Sequence, residues 1–154
     1  MVTVREKTLT QMRLHGTCPT HTRTHVIARS HEIVIDEPED RGGADMAATP
    51  LETMIAALIG CTNVILNKVA AHNGIEIKVI SVDAEATLDR RGVTLQEEVS
   101  IPFPEIKLTI SLSTSSDDAR LAGLKSDLSR FCPVSKILRQ SGTKIDEIWK
   151  VTRH

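Results

Sequence analysis

The chain has 154 residues, of which 40% are hydrophobic and 25% charged, as in an ordinary soluble globular domain. Aromatic residues make up only 2% and the formal net charge is −1, so neither base stacking nor a basic field supports binding to nucleic acid or an anionic membrane. A single domain over residues 1–154, with an aliphatic core, is predicted.

The sequence predicts neither a secretory signal nor a membrane span. The opening "MVTVREKTLT" has no apolar segment of signal length, and the most apolar run, Met54 to Cys61, is too short to cross a bilayer. A cytoplasmic location is therefore expected. In that reducing compartment the three cysteines are expected to be thiols at rest, so that any disulfide would be transient or catalytic.

The first third of the sequence predicts strands and a loop. Alternation over residues 2–14 predicts a strand with one apolar face, followed by a turn at residues 15–19. Residues 21–36, which end in "HEIVIDEP", predict one or two further strands. The next segment, "EDRGGADMAAT", is expected to be a loop, because it combines two glycines and many charges without periodicity.

A long helix is predicted after this loop. Thr49, Pro50 and Glu52 form a capping box with proline at the first helical position. Asn73 and Gly74 are a typical C-terminal signal. Because apolar residues cover most of the circumference, a buried central helix is predicted, covered by a sheet, another helix or a second subunit.

The second half of the sequence predicts a strand over residues 75–88, with a bulge near residues 80–81 where the apolar parity changes. Alternation at residues 106–112 predicts another strand. The remaining predicted elements are a helix opened by residues 115–118 with Leu121, Leu124, Leu128 and Phe131 on one face, a break at Cys132-Pro133, a short helix ending near Gly142, and a strand over 144–152. This order predicts an α+β fold with mainly antiparallel sheet.

Two cysteines are candidates for chemistry. Cys132 precedes Pro133, which suits the first position of a helix, and a helix N-terminus stabilises an anion and lowers the pKa of a thiol. Cys61 lies well inside the long helix, where burial disfavours a thiolate, so it needs a nearby guanidinium to react. Either cysteine can also be a packing residue without chemistry. Cys18 has neither context, and no role is assigned to it.

A metal site is not expected from the spacing of possible ligands. Three cysteines and six histidines are present, but no CxxC, CxxH or helical HxxxH pattern. His21 and His25 share strand parity with Arg23, which is typical of a solvated strand face.

Two segments together resemble the OsmC/Ohr family: "VIDEPEDRGGADMAATPLETMIAALIGCTNVILNKVA" and, further on, "RFCPVSKILRQSG". They carry a DEP and GG loop, a P-x-E-x-x-x-A-A-L-x-x-C helix and a C-P-V-S helix, and the resemblance extends over residues 23 to 150. It implies an OsmC-like α+β fold, with antiparallel sheets around a long buried central helix, and an intertwined homodimer.

The resemblance also implies a thiol-dependent peroxidase that reduces organic hydroperoxides. By this mapping Cys61 is the peroxidatic cysteine and becomes a sulfenic acid, Cys132 resolves it as a Cys61–Cys132 disulfide, and an external dithiol or lipoyl-type reductant restores both thiols. An arginine of the early strands, assigned to Arg23 with Arg29 as the other choice, and Glu52 at the start of the central helix complete the implied site. No cofactor is implied.

One departure from the family pattern leaves the role of Glu52 open. In the peroxidases the acid directly follows the proline, whereas here Leu51 stands at that position and Glu52 one step later. On a straight helix the path from Glu52 to Cys61 turns by about 900°, half a turn out of phase, so a capping role explains Glu52 without catalysis. Two alternatives remain open: a dimeric OsmC-like module that binds an apolar small molecule with little or no peroxidase activity, and a reduced structural pair without a site.

Overall fold

The structure, a computed structural model, describes residues 8–153. Its contacts divide the chain between Thr53 and Met54 into an N-terminal and a C-terminal compact unit. The elements in chain order are β1 (Leu14–Thr17), β2 (Thr24–Ala28), β3 (His31–Ile35), a 3₁₀ turn (Glu39–Arg41), α1 (Pro50–His72), β4 (Lys78–Thr87), β5 (Glu105–Thr114), α2 (Asp118–Phe131), α3 (Pro133–Gln140) and β6 (Lys144–Arg153). The α+β class is as predicted.

The N-terminal unit contains an antiparallel sheet of order β1-β2-β3. Ala28 pairs with His31, so the β2–β3 hairpin turns through two residues, Arg29 and Ser30. Arg29 has φ 61°, as a central position of such a tight hairpin turn requires. The one or two strands predicted over residues 21–36 are confirmed as two, β2 and β3.

The strand predicted over residues 2–14 is wrong in its described part. Residues 8–13 lie outside any strand, and residues 2–7 fall outside the described residues. Strand β1 instead begins at Leu14, the last residue of the predicted strand, and continues through residues 15–17, predicted as a turn, because these four residues pair with residues 25–28 of β2. Alternation alone could not locate this strand, since a strand forms where a neighbouring strand satisfies its backbone groups.

Asp36 organises the loop between β3 and α1. Its buried carboxylate accepts hydrogen bonds from the backbone N–H groups of Glu37 (3.0 Å), Ala44 (3.3 Å) and Met46 (3.3 Å). Its own N–H donates to the carbonyl oxygen of Ala48 at 3.2 Å. One side chain therefore satisfies donors from both ends of the loop.

The two adjacent glycines of this loop are steric requirements of its backbone. Gly42 has φ 85°, in the left-handed region that favours glycine. A Cβ added to Gly43 would lie 1.7 Å from the carbonyl oxygen of Glu37. The loop around Asp36 can close only because both positions lack a side chain.

Helix α1 begins and ends where the sequence predicts. The Thr49 N–H donates to Glu52 Oε2 at 2.8 Å, and the Glu52 N–H donates to Thr49 Oγ1 at 3.2 Å, which completes the capping box. Gly74 follows the helix with φ 61°, the conformation typical of a helix C-terminus.

Helix α1 is less buried than its composition suggests. An 18-residue window has a mean hydropathy of 1.6, yet only 28% of that window is buried. By length and composition the whole helix could cross a membrane, although the run Met54 to Cys61 alone is too short to do so. The core helix of a soluble protein has the same length and composition. Its buried residues are Leu58, Thr62, Leu66, Val69 and Ala70.

The C-terminal unit contains the second sheet, of order β4-β5-β6. β4 pairs antiparallel with β5, and the predicted bulge lies between Val79 and Ser81. β6 pairs with β5 in parallel, so the sheets are mainly antiparallel, as the pattern predicts, but not wholly so, as the resemblance implies. Because α2 and α3 separate β5 from β6, the chain returns to the end where β5 began, and such crossovers produce parallel pairs.

One cluster of buried residues joins β5, α1, α2 and α3. The inward residues of β5 and α2 are those predicted: Ile106, Leu108, Ile110, Leu112, Leu121, Leu124 and Leu128. Phe131, predicted on the same face, is instead 55% exposed, with the Arg130 guanidinium 5.1 Å from its ring centre. Cys132, one helical turn after Leu128, takes the buried position at 1% exposure.

We expect Gly43→Ala to lower the free energy of unfolding by roughly 1–3 kcal/mol, as overpacking does, because the new Cβ would overlap the Glu37 carbonyl. Urea denaturation followed by circular dichroism measures the change. Gly123→Ala in α2 is the matched control, since a Cβ there meets nothing within 4 Å. Replacing that helical glycine should stabilise the protein by about 0.5–1 kcal/mol, and equal effects at both positions would contradict the steric account.

Candidate active site

Cys132 lies at the junction of two helices. It is the C-cap of α2 and the N-cap of α3, with φ −73° and ψ 107°. Its N–H donates to the Leu128 carbonyl and its carbonyl accepts from the Lys136 N–H, both at 3.0 Å. A residue before proline is pushed away from the helical region, so Pro133 ends α2 here, while Cys132 continues the buried face of α2 that Leu128 occupies.

The structure places Cys61 and Cys132 side by side. The Cys132 thiol donates a hydrogen bond to the Cys61 sulfur, with the two Sγ atoms 3.4 Å apart. Both cysteines are free thiols, Cys132 buried and Cys61 half-buried in α1. The two residues thus present one sheltered sulfur and one that solvent can reach.

The environment of Cys132 favours its neutral form. Burial raises the pKa of the Cys132 thiol, and the neighbouring Cys61 raises it further. The backbone N–H groups of Ser135 and Val134, in the first turn of α3, act in the opposite direction without outweighing burial. The sulfur makes no capping hydrogen bond to α3. The prediction that the helix N-terminus lowers this pKa is therefore wrong in its net direction, because the sulfur is desolvated.

No charged side chain of residues 54–153 donates a hydrogen bond to either sulfur. The guanidinium predicted to stabilise a Cys61 thiolate is thus not supplied by the C-terminal unit. The Cys132 thiol is the polar partner that this unit gives to Cys61.

Arg23 binds the buried carboxylate of Asp36. Its Nε and Nη2 atoms each lie 3.3 Å from Asp36 Oδ2. Burial by itself would raise the pKa of Asp36, but three backbone N–H groups of the loop and the Thr22 hydroxyl outweigh it and hold the pKa at about 2. Arg23 therefore faces a carboxylate that is ionised throughout the physiological pH range.

Glu52 is occupied by the cap of α1. The backbone N–H and the side chain of Thr49 lower the pKa of Glu52 by hydrogen bonding to its carboxylate. This confirms the capping interpretation drawn from the sequence. The predicted catalytic roles of Arg23 and Glu52 beside Cys61 stay predictions.

The other sequence candidates occupy exposed positions of the N-terminal unit. Arg29 is exposed in the β2–β3 hairpin turn. Cys18 is also exposed, and its sulfur lies 3.8 Å from Thr24 Oγ1. Within residues 8–153, no group of three or more His, Cys, Asp or Glu side chains has an arrangement that could hold a metal ion.

An open cleft begins one helical turn after Cys61. It has a volume of about 320 Å³, and its surface is mostly apolar with charged groups at the rim. Phe131, the residue before Cys132, forms part of its wall. The lining residues are Ile65, Lys68, Val69, His72, Asp127 and Phe131.

Fold and site together define an α+β protein with two three-stranded sheets, a long central helix and an adjacent pair of thiols. Residues 42–147 match the OsmC family, described as OsmC-like protein. The chain therefore belongs to the OsmC-like protein family, which confirms the resemblance seen in the sequence.

Solved structures share this fold over nearly their whole length. An OsmC-like protein from Mycoplasma pneumoniae has a TM-score of 0.77 at 15% identity, covering 93% of this chain and 98% of that one. An organic hydroperoxide resistance protein, OsmC, from Legionella pneumophila has a TM-score of 0.62 at 17% identity, covering 95% and 99%. An OsmC-like protein of unknown function from Vibrio cholerae has a TM-score of 0.68 at 10% identity, covering 94% and 100%. No curated protein matches this chain in sequence.

Sequence reasoning assigned no role to Asp36 or Ser135. Asp36 follows the apolar strand "HEIVI" directly and precedes a glycine-containing loop, which is the local signal of a loop-organising acid. Ser135 gives no comparable signal, because its contact with Arg139 and its burial depend on how α3 packs.

The stabilisation contributed by Asp36 should depend on pH. Its pKa in the folded protein, about 2, lies below the ordinary 3.8, so the unfolded chain takes up the proton first as the pH falls. The contribution is therefore complete above the ordinary value and is lost as the pH falls towards the folded one. Urea denaturation across this range should show that wild type and Asp36→Asn differ most near neutral pH and converge in acid. Asp40→Asn, exposed in the same loop, is the matched control, and an Asp36→Asn difference that does not change with pH would contradict the assignment.

Proposed function

We propose that this protein is a thiol-dependent peroxidase that reduces organic hydroperoxides through a Cys61 sulfenic acid and a Cys61–Cys132 disulfide. The observation that carries the proposal is the 3.4 Å contact in which the Cys132 thiol donates to the Cys61 sulfur. Membership of a family that includes an organic hydroperoxide resistance protein, OhrB, of Bacillus subtilis supports the class of reaction.

Cys61 is proposed to attack because its sulfur is the more accessible of the two. The Cys61 thiolate takes the terminal oxygen of the hydroperoxide, the O–O bond breaks, and the departing alkoxide is protonated to an alcohol. The apolar cleft that begins one helical turn from Cys61, at Ile65, supports an organic hydroperoxide as substrate, because apolar walls favour an organic group. Cys132 remains a thiol during this step, as the raised pKa of its side chain requires.

Cys132 is proposed to resolve the sulfenic acid. Its sulfur attacks the Cys61 sulfur, the S–O bond breaks, and the oxygen leaves as water while the disulfide forms. The Sγ atoms must approach by roughly 1.4 Å from their present contact of 3.4 Å to reach disulfide length. An external dithiol, of lipoyl type or similar, returns both cysteines to thiols, and a reducing cytoplasm is the proposed location.

Arg23 and Glu52 are retained as proposed partners of Cys61. Asp36 occupies Arg23 through Nε and Nη2, which leaves Nη1 of the guanidinium for another acceptor. An arginine would stabilise a Cys61 thiolate that burial disfavours. Arg29 remains the other choice.

A second candidate function is the binding of an apolar small molecule, with little or no peroxidase activity. The observation that favours it is the open apolar cleft beside Cys61. Under this alternative the dithiol rarely cycles, and the protein co-purifies with an apolar ligand.

A homodimer is proposed because one face of α1 is both exposed and made of small side chains. Its members recur every three or four residues: Ala57, Gly60, Val64, Asn67 and Ala71. A Cβ added to Gly60 meets nothing within 4 Å, so packing within one chain does not explain this glycine. Small side chains permit close helix packing, and the most economical cover for an exposed apolar face is a second copy of the chain.

The Cys61–Cys132 mechanism predicts distinct products for each cysteine variant. With cumene hydroperoxide and a dithiol, Cys61→Ser should lose turnover, because the nucleophile is gone. Cys132→Ser should react once and then accumulate sulfenic and sulfinic acids at Cys61, because no thiol resolves it. Intact-mass and peptide-mass spectrometry under non-reducing conditions identify the products.

Cys18→Ser is the matched control and should turn over like wild type. Turnover that survives in Cys61→Ser would contradict the peroxidase mechanism. A wild-type protein that forms no disulfide with any organic hydroperoxide, and whose native mass shows a bound apolar ligand, would establish the binding function instead.

The proposed homodimer predicts that Ala57→Glu yields a monomer, because a carboxylate would be desolvated between closely packed helices. Sedimentation velocity measures the oligomeric state. Ala122→Glu introduces the same charge at an exposed position of α2 and should remain dimeric. A wild-type protein that sediments as a monomer, or a dimeric Ala57→Glu, would contradict this use of α1.

A further inference from the structure

A single arginine connects the far end of α3 to the strand that follows. Arg139 Nε lies 3.4 Å from Ser135 Oγ, Nη1 donates to the Ile145 carbonyl at 3.1 Å, and Nη2 donates to Glu147 Oε1 at 3.0 Å. All three guanidinium nitrogens are thus engaged, on α3 and on β6. A planar fork with three partners fixes orientation in a way that a lysine cannot.

The acceptor on β6 is itself held in place. The Glu147 side chain is 15% exposed, and its second oxygen accepts a hydrogen bond from Trp149 Nε1 at 3.3 Å. The Lys125 ammonium lies 5.3 Å from the centre of the Trp149 ring. Arg139 therefore binds a carboxylate whose position is set by β6 and α2.

Ser135 links this arrangement to the dithiol. It is 3% exposed, its hydroxyl faces Arg139, and its backbone N–H is one of the two that act on the Cys132 sulfur. Ser135 thus contacts Arg139 through its hydroxyl and belongs to the same first turn of α3 that begins at Cys132. Any movement of the first turn of α3 changes the position of Cys132 relative to Cys61.

Helix α3 needs this external support. It has eight residues, no acidic residue in its first turn and no side-chain cap at its N-terminus. Isolated helices of this length are not stable in water. Its position therefore depends on tertiary contacts, of which Arg139 makes two, to Ile145 and Glu147 on β6.

We propose that Arg139 is a positioning residue for the resolving cysteine: by tying Ser135 to Ile145 and Glu147, it holds α3 so that the Cys132 sulfur stays against Cys61. The inference rests on the proposed peroxidase function and names a residue that controls its second step. We call the contacts of Arg139 with Ser135, Ile145 and Glu147 the clamp. When the clamp is lost, the Cys132 sulfur contacts the Cys61 sulfenic acid less often. A second hydroperoxide then oxidises the sulfenic acid to a sulfinic acid and is itself reduced to an alcohol.

The test compares Arg139→Ala with Lys136→Ala, which removes the same charge from an exposed position of the same helix. Rapid mixing with cumene hydroperoxide, acid quench and mass spectrometry separate the two steps. Arg139→Ala should form the sulfenic acid at the wild-type rate and the disulfide about ten-fold more slowly, the factor for losing one hydrogen bond to a charged group. Its sulfinic acid fraction should rise, while Lys136→Ala behaves like wild type.

Arg139→Lys keeps the charge but cannot serve three partners, so it should rescue the disulfide rate only in part. Glu147→Gln removes the negative charge that Arg139 binds while keeping the length of the side chain, so it should also slow disulfide formation and tests the proposal if Arg139→Ala does not fold. Equal disulfide rates and sulfinic acid fractions in wild type, Arg139→Ala and Glu147→Gln would overturn the proposal.

A readout without peroxide separates this proposal from the peroxidase function. In a Cys61→Ser background, iodoacetamide should alkylate Cys132 several-fold faster across pH when Arg139 is replaced by alanine, because a loosened α3 exposes the buried thiol. Lys136→Ala should not change that rate. A faster rate without any hydroperoxide turnover in wild type would refute the peroxidase function and keep the clamp, whereas an unchanged rate would refute the clamp alone.

Discussion

The contact between the sulfurs of Cys61 and Cys132 is the interaction on which the proposed chemistry of this protein depends. It exists because three separate pieces of structure meet: the middle of α1, the end of α2 and the start of α3. Leu128 and Cys132 share one buried face across the break at Pro133, and the cluster around β5 holds that face against α1. The dithiol is therefore part of the hydrophobic core, and core packing sets the 3.4 Å separation.

The two thiols differ in burial, and this difference gives them different properties. Desolvation raises the pKa of Cys132 and keeps it a hydrogen-bond donor, while the more accessible Cys61 accepts. The first turn of α3 opposes this shift without reversing it. In the proposed cycle its N–H groups would stabilise negative charge that develops on the Cys132 sulfur, and a neutral, sheltered thiol beside a more accessible one suits the proposed sequence of oxidation and resolution. In the proposed cycle, disulfide formation depends on the position of α3 as well as on the presence of Cys132.

The surface of the chain carries a separate constraint. The exposed apolar face of α1, with small residues at helical spacing, is costly to leave in water. The same helix carries Cys61 on another part of its circumference. A partner that covers the exposed face of α1 would therefore also change the surroundings of Cys61. In the N-terminal unit, Asp36 fixes both the glycine loop and the Arg23 guanidinium. The Arg23 guanidinium is therefore already oriented before its Nη1 atom binds any further acceptor.

The sequence by itself determined the features that depend on neighbours along the chain. The capping box at Thr49 and Glu52, the end of α1 at Gly74, the alternation of β5 and the break at Cys132-Pro133 were all predicted, because local sterics and hydrogen bonds decide them. The parallel pairing of β6, the outward turn of Phe131 and the position of β1 were not, because each depends on what a distant segment offers. The same holds for the site. The two cysteines could be named from their motifs, but their contact, the raised pKa of Cys132 and the reach of Arg139 to Glu147 were decided only by the tertiary structure, since distance and desolvation are properties of the packed core.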